Sequence, residues 1–147
     1  MEKKKILLVE DNKDDILLIQ RAFYKTKLVE KFELLIAEDG NQALSYLNDT
    51  DFSSVSQQGK IPMILLLDLN LPRINGFEVL QRIRSNNKTK LIPVIVFTSS
   101  KENQDITKAY LLGANSYVRK PIDYGKFTSV LQQIVSYWGD VNELPVK

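Results

Sequence analysis

Apolar residues along this chain follow two rhythms, short unbroken runs and helical spacings. The strongest run is Met63-Ile-Leu-Leu-Leu67, which ends in Asp68, a polar turn and Pro72. A run without alternation suits a strand covered on both faces, central in a parallel sheet. Lys5-Ile-Leu-Leu-Val9, Phe32 to Ala37, Pro93-Val-Ile-Val-Phe97 and Asn115 to Val118 read as four further strands. Helical spacing separates them. Ile16, Ile19, Ala22 and Phe23 recur to about Lys27, after N-cap candidates in Asn12 to Asp15. Ala43, Leu44 and Leu47 follow a turn at Asp39-Gly40, and Phe77, Leu80 and Ile83 mark a helix from Gly76 to about Asn87. A fourth helix from Asn103 to Leu112 ends at Gly113, a natural left-handed residue. From near Asp123, Phe127, Val130, Leu131, Ile134, Val135 and Trp138 form one apolar stripe.

Five alternations of strand and helix predict an α/β fold, a parallel sheet with helices on both faces. Asn48 to Pro62 is polar and reads as an exposed loop without chemistry. The chain has 147 residues, enough for one well-buried domain. The expected organisation is a single domain over 1–147, with its core at about 5–138 and a short extension at 139–147.

Composition narrows the chemistry. A net charge of +2 argues for neither nucleic acid nor a membrane surface as partner. Without cysteine there is no disulfide, thiol catalysis or zinc-thiolate site, and a cytoplasmic location is expected. Without histidine there is no phosphohistidine relay on this chain. No apolar run approaches the roughly 20 residues of a membrane span.

In open α/β sheets, functional groups gather at the carboxyl ends of the strands. Here the first strand ends in Glu10 and Asp11, the third in Asp68 with Asn70 just beyond, the fourth in Thr98 and Ser99, and the fifth in Lys120. An Asp capping a turn or a Glu-Asp pair facing solvent is ordinary taken singly, but four successive strand ends carrying such groups are not. Three carboxylates without a cation resist ionising together. A divalent metal resolves this, and an all-oxygen set selects Mg²⁺ or Mn²⁺ over zinc. Such a site suits phosphoryl transfer, with Asp68 as nucleophile, Lys120 as a positive charge and Thr98 as a donor.

Val9-Glu-Asp11, Leu67-Asp-Leu-Asn-Leu-Pro-Arg-Ile-Asn-Gly76, Phe97-Thr-Ser99 and Tyr117-Val-Arg-Lys-Pro121 closely resemble the receiver domain of two-component response regulators. The resemblance covers residues 5 to about 138. It implies a flavodoxin-like (βα)5 doubly wound sheet of strand order 2-1-3-4-5. It further implies that Asp68 accepts phosphate from the phosphohistidine of a partner sensor histidine kinase. Glu10, Asp11, Asp68 and the Asn70 backbone carbonyl would hold Mg²⁺, Thr98 and Lys120 would contact the phosphoryl group, and Tyr117 would be the switch aromatic. Asn75 departs from the Asp that many members carry before the glycine. The segment before the third strand and the ending Tyr137-Trp-Gly-Asp-Val-Asn-Glu-Leu-Pro145 look more like the stand-alone regulators paired with bacterial phytochromes.

The leading expectation is a signalling switch that works by protein contact on a downstream target and is not an enzyme, catalysing at most its own phosphorylation and dephosphorylation. The alternatives are a flavodoxin-like cofactor-binding protein, disfavoured because no glycine-rich phosphate loop follows the first strand, and a phosphate-independent interaction module. Two further expectations concern detail. The Lys120-Pro121 bond is expected to be cis. The fourth helix, fifth strand, last helix and tail, with Leu144-Pro-Val146, are expected to form a symmetric homodimer face.

Overall fold

The computed structural model describes residues 3–50 and 60–145. Strands β1 (Lys4–Val9), β2 (Phe32–Ala37), β3 (Pro62–Leu67), β4 (Val94–Thr98) and β5 (Ser116–Arg119) form one parallel sheet of order β2-β1-β3-β4-β5. Helices α1 (Lys13–Lys25), α2 (Gly40–Asp49), α3 (Gly76–Ser85), α4 (Asn103–Leu111) and α5 (Tyr124–Ser136) connect and follow them. Both the fold class and the strand order agree with expectation.

Alternation along the buried strands divides the core in two. Leu7, Val9, Leu65, Leu67, Val94 and Val96 point to the face covered by α2, α3 and α4. Ile6, Leu8, Ile64, Leu66, Ile95 and Phe97 point to the face covered by α1 and α5. Every residue of β3 is buried, which explains its unbroken apolar run. Its position between β1 and β4 places Asp68 in the middle of the carboxyl edge.

Local chemistry sets the helix boundaries. Asn12, Asp39, Asn75 and Asp123 each cap a helix, the side chain accepting the backbone N–H three residues on. Asn75 thus makes the capping bond that an Asp would make there. Gly113 follows α4 at φ +104°, in the left-handed region. Most boundaries fall within two residues of expectation, and two regions differ in kind. The polar segment is shorter than Asn48 to Pro62, because α2 carries on through Asp49 and Pro62 opens β3; residues 51–59 lie outside the described residues. After α5 the chain enters a π-helical turn, Tyr137–Val141, rather than continuing as α-helix through Trp138. Trp138 and Leu144 then pack against the core on the α1/α5 face, and Lys4 Nζ donates to Gly139 O at 2.9 Å. Trp138 and Leu144 are therefore used within the molecule, whereas Val141 stays exposed and Val146 lies outside the described residues.

Candidate functional site

The ladder aligns the strand ends before any side chain is considered. The Asp68 N–H donates to Val9 O at 3.0 Å, the Glu10 N–H to Ala37 O at 3.0 Å, and the Lys120 N–H to Thr98 O at 2.8 Å. Backbone pairing thus carries just past the strands, so the side chains of Glu10, Asp68, Thr98 and Lys120 leave from a fixed edge. Gly76 supports the same edge from behind. Its N–H donates to Leu69 O at 2.9 Å, and a Cβ there would lie 2.6 Å from Leu69 Cα. Only glycine lets the start of α3 approach the backbone beside Asp68 this closely.

Glu10, Asp11 and Asp68 each offer an oxygen, and these oxygens lie within 4.8 Å of one another. Glu10 is fully buried, Asp68 is 6% exposed, and Asp11 faces solvent. Asn70 sits at the exposed side, its N–H 3.4 Å from Asp68 Oδ1. Lys120, its side chain 5% exposed, reaches in from the β5 side. Its ammonium donates to Glu10 Oε1 at 2.5 Å and to Asp15 Oδ2 at 2.7 Å, and lies 3.5 Å from Asp68 Oδ2. Thr98 is fully buried, and its Oγ1 has no hydrogen-bond partner among the described residues.

The electrostatics show a surplus of negative charge. Burial pushes the Glu10 carboxyl up to about 7; Lys120 opposes the shift and Asp68 adds to it. Burial acts against the charged form of Lys120, yet Asp68 and Glu10 outweigh it and raise the Lys120 pKa. Both shifts favour one more positive charge in the site. A hard divalent cation meets that demand, since the donors are all carboxylate oxygens and one edge, at Asp11, is open to water. The orphaned Thr98 hydroxyl is the second sign of an incoming polar group, because buried hydroxyls rarely go unpartnered.

The expected residues are accordingly brought together, with two qualifications. The Lys120-Pro121 bond is not cis: among the described residues no peptide bond is cis. Lys120 reaches the carboxylates from a trans backbone, so aiming its side chain needs no cis isomer. Tyr117 is half-buried on β5, and its hydroxyl donates to Ser100 O at 2.9 Å, in the loop that Thr98 enters. Ser100 Oγ in turn bonds Asp105 Oδ2 at 2.6 Å, joining that loop to the first turn of α4. The residue that sequence reasoning passed over is Asp15, read only as a helix-start residue. Its signal was a carboxylate one helical turn beyond Asp11.

The model of the response regulator receiver domain matches residues 6–132. The chain belongs to this family. It is a phosphorylation-activated signalling switch of the two-component kind rather than a metabolic enzyme. Among curated proteins this receiver is 38% identical over 147 residues to the response regulator Rcp1 of Synechocystis sp., covering 97% of this chain and 93% of that one. It is 37% identical over 140 residues to the probable methanogenesis regulatory protein FilR2 of Methanothrix harundinacea, covering 95% and 86%. Among solved structures, the phosphorylated cyanobacterial phytochrome response regulator RcpA superposes with a TM-score of 0.84 at 36% identity, covering 98% of this receiver and 99% of RcpA. The Mn²⁺-bound form of Rcp1 superposes with a TM-score of 0.79 at 34% identity, covering 97% and 99%.

Proposed function

We propose that Asp68 accepts a phosphoryl group from the phosphohistidine of a sensor histidine kinase, of the phytochrome type, and that the protein then signals by contact with a downstream protein. The observation that carries this reading is the placement of Asp68. It is a nearly buried carboxylate beyond the central strand, 3.5 Å from an ammonium and grouped with two further carboxylates. RcpA in phosphorylated form and Rcp1 with Mn²⁺, both similar over nearly the whole chain, support it.

An Asp68 oxygen attacks phosphorus, the P–N bond of the donor breaks, and its electron pair leaves with the imidazole nitrogen. Lys120 and Thr98 receive the phosphoryl oxygens, Lys120 through a charge-assisted hydrogen bond and Thr98 through its unpartnered hydroxyl. Glu10, Asp11 and Asp68 would hold Mg²⁺, with the Asn70 carbonyl by family resemblance; when bound, the metal supplies charge neutralisation for the transferring group. Tyr117 serves as the switch aromatic, being tied to the loop that follows Thr98. In this reading the protein works in the cytoplasm beside its kinase, residues 1–147 act as one unit, and neither nucleic acid nor membrane is a partner.

Intact-mass measurement after mixing with acetyl phosphate and Mg²⁺ tests the assignment. Wild type should gain one phosphoryl group and Asp68→Asn none. A full gain in the variant would move the acceptor to Glu10 or Asp11.

A further inference from the structure

Lys120 is held by a carboxylate outside the expected site. Asp15 Oδ2 takes one ammonium hydrogen at 2.7 Å, Glu10 Oε1 takes another at 2.5 Å, and Asp68 Oδ2 lies 3.5 Å away. An ammonium has three hydrogens to donate. Two are committed, and the third is left for the Asp68 side. A lysine head is a rotatable point charge on a flexible stem, so one acceptor leaves it free to turn about that bond. A second acceptor removes the freedom. Asp15 is itself well placed to serve as a fixed point. It sits in the first turn of α1, where its N–H donates to Asn12 Oδ1 at 3.0 Å. It stands apart from the trio of converging carboxylates and lines a groove of about 930 Å³ beside Lys120 and Ser99.

We propose that Asp15 is a positioning residue: together with Glu10 it orients the Lys120 ammonium so that its remaining hydrogen faces Asp68 and the phosphoryl oxygens arriving there. The inference rests on Asp68 being the acceptor. A donor aimed in advance needs no reorganisation as charge arrives. Lys120 transfers no proton in this role. Asp15 also adds negative charge near an incoming anion, an effect of opposite sign, so two substitutions are needed to separate aim from charge. Asp15→Ala removes acceptor and charge together. Asp15→Asn removes the charge and keeps an acceptor oxygen. Both lose the same favourable charge at the start of α1, so the difference between them no longer contains the charge, and the Lys120 Nζ exchange rate reads the hydrogen bond directly.

The experiment measures the rate of phosphoryl gain by intact mass, with phosphoramidate as donor in saturating Mg²⁺. Hydrogen exchange at ¹⁵N-labelled Lys120 Nζ is followed by NMR without donor. Asp15→Ala should phosphorylate more slowly by about tenfold, within the range a small misplacement of a reacting group produces. Asp15→Asn should recover most of that loss. The Lys120 ammonium should exchange slowly in wild type and Asp15→Asn, and markedly faster in Asp15→Ala. Wild-type phosphorylation by Asp15→Ala, an Asn variant as slow as Ala, or unchanged Nζ exchange in Asp15→Ala would each overturn the proposal. Asp68→Asn is run alongside. Phosphoryl gain there removes the acceptor assignment, while the exchange measurement still reads whether Asp15 orients Lys120.

Discussion

Glu10 is the residue where burial and charge are most opposed. It is fully buried, its ordinary pKa of 4.5 is raised to about 7 by desolvation, and Lys120 offsets this only in part. The consequence for stability has a definite sign. Between about pH 4.5 and 7 the metal-free folded state holds a proton at Glu10 that the unfolded chain has released. Folding stability therefore falls as pH rises through that window and levels off above it. Urea unfolding of the metal-free protein should show a loss of a few kcal/mol between those limits. Glu10→Gln, which cannot ionise, should abolish that part of the slope. Metal binding needs the ionised carboxylate, so Mg²⁺ affinity by calorimetry should climb to about pH 7 and then flatten. A pH-independent affinity across the window would exclude Glu10 as a ligand.

Among the elements, the joint between α3, β4 and β5 depends on one guanidinium. Arg84, near the end of α3, donates to Gly113 O at 2.8 Å, Lys90 O at 3.0 Å, Ile92 O at 2.8 Å and Asn115 Oδ1 at 2.7 Å. Asn115 Oδ1 also accepts the Val94 N–H at 2.8 Å, so a single side chain aligns the starts of β4 and β5. Its partners are carbonyl groups with no carboxylate among them, and burial lowers its pKa. Arg84→Ala should destabilise by about 2–4 kcal/mol, because the partners lose a charged donor and are left partly unpaired. Arg84→Lys, with a single nitrogen, should recover only part of this; equal unfolding midpoints for wild type and Arg84→Ala would refute the role. Nothing in the sequence marks Arg84, since it is one basic residue among the polar positions of an amphipathic helix. The same limit applies to Asp15. Its bond to Lys120 spans 105 residues and depends on how α1 sits over the β5 end, which periodicity does not encode. The strand-end groups were legible for the opposite reason. A strand's apolar run stops where the core stops, so Glu10, Asp68 and Thr98 announce themselves by following β1 and β3 or closing β4. Where the tail lies is not legible, because apolar residues in a short extension give no sign of which surface they cover.

Across the whole molecule, the proposed phosphorylation site and the α4 surface are joined by two contacts. Tyr117 bonds Ser100 O, and Ser100 bonds Asp105 at the start of α4. If Thr98 turns to satisfy its hydroxyl on a phosphoryl oxygen, the loop carrying Ser100 shifts and both contacts must rearrange. Packed interfaces respond to such shifts by switching between discrete arrangements. The far end of α4 exposes Tyr110 (50%) and Leu111 (81%), apolar area that the fold itself does not cover. Trp138 and Leu144, by contrast, pack against the protein's own core. Self-association is thus expected to rest on α4, β5 and α5 more than on the tail, as a symmetric contact that uses one patch twice. Phosphorylation should tighten it by about tenfold to a hundredfold, the usual range of such coupling. Sedimentation velocity over a concentration series, with and without acetyl phosphate and Mg²⁺, measures this directly. Leu111→Glu should abolish the dimer and leave phosphoryl gain at Asp68 intact, because Leu111 is exposed at the end of α4 that leads to the start of β5, away from the carboxyl edge. Tyr117→Ala should leave a dimer that no longer responds to phosphorylation. A protein that stays monomeric at every concentration, phosphorylated or not, would remove self-association from the output while leaving the acceptor chemistry at Asp68 untouched.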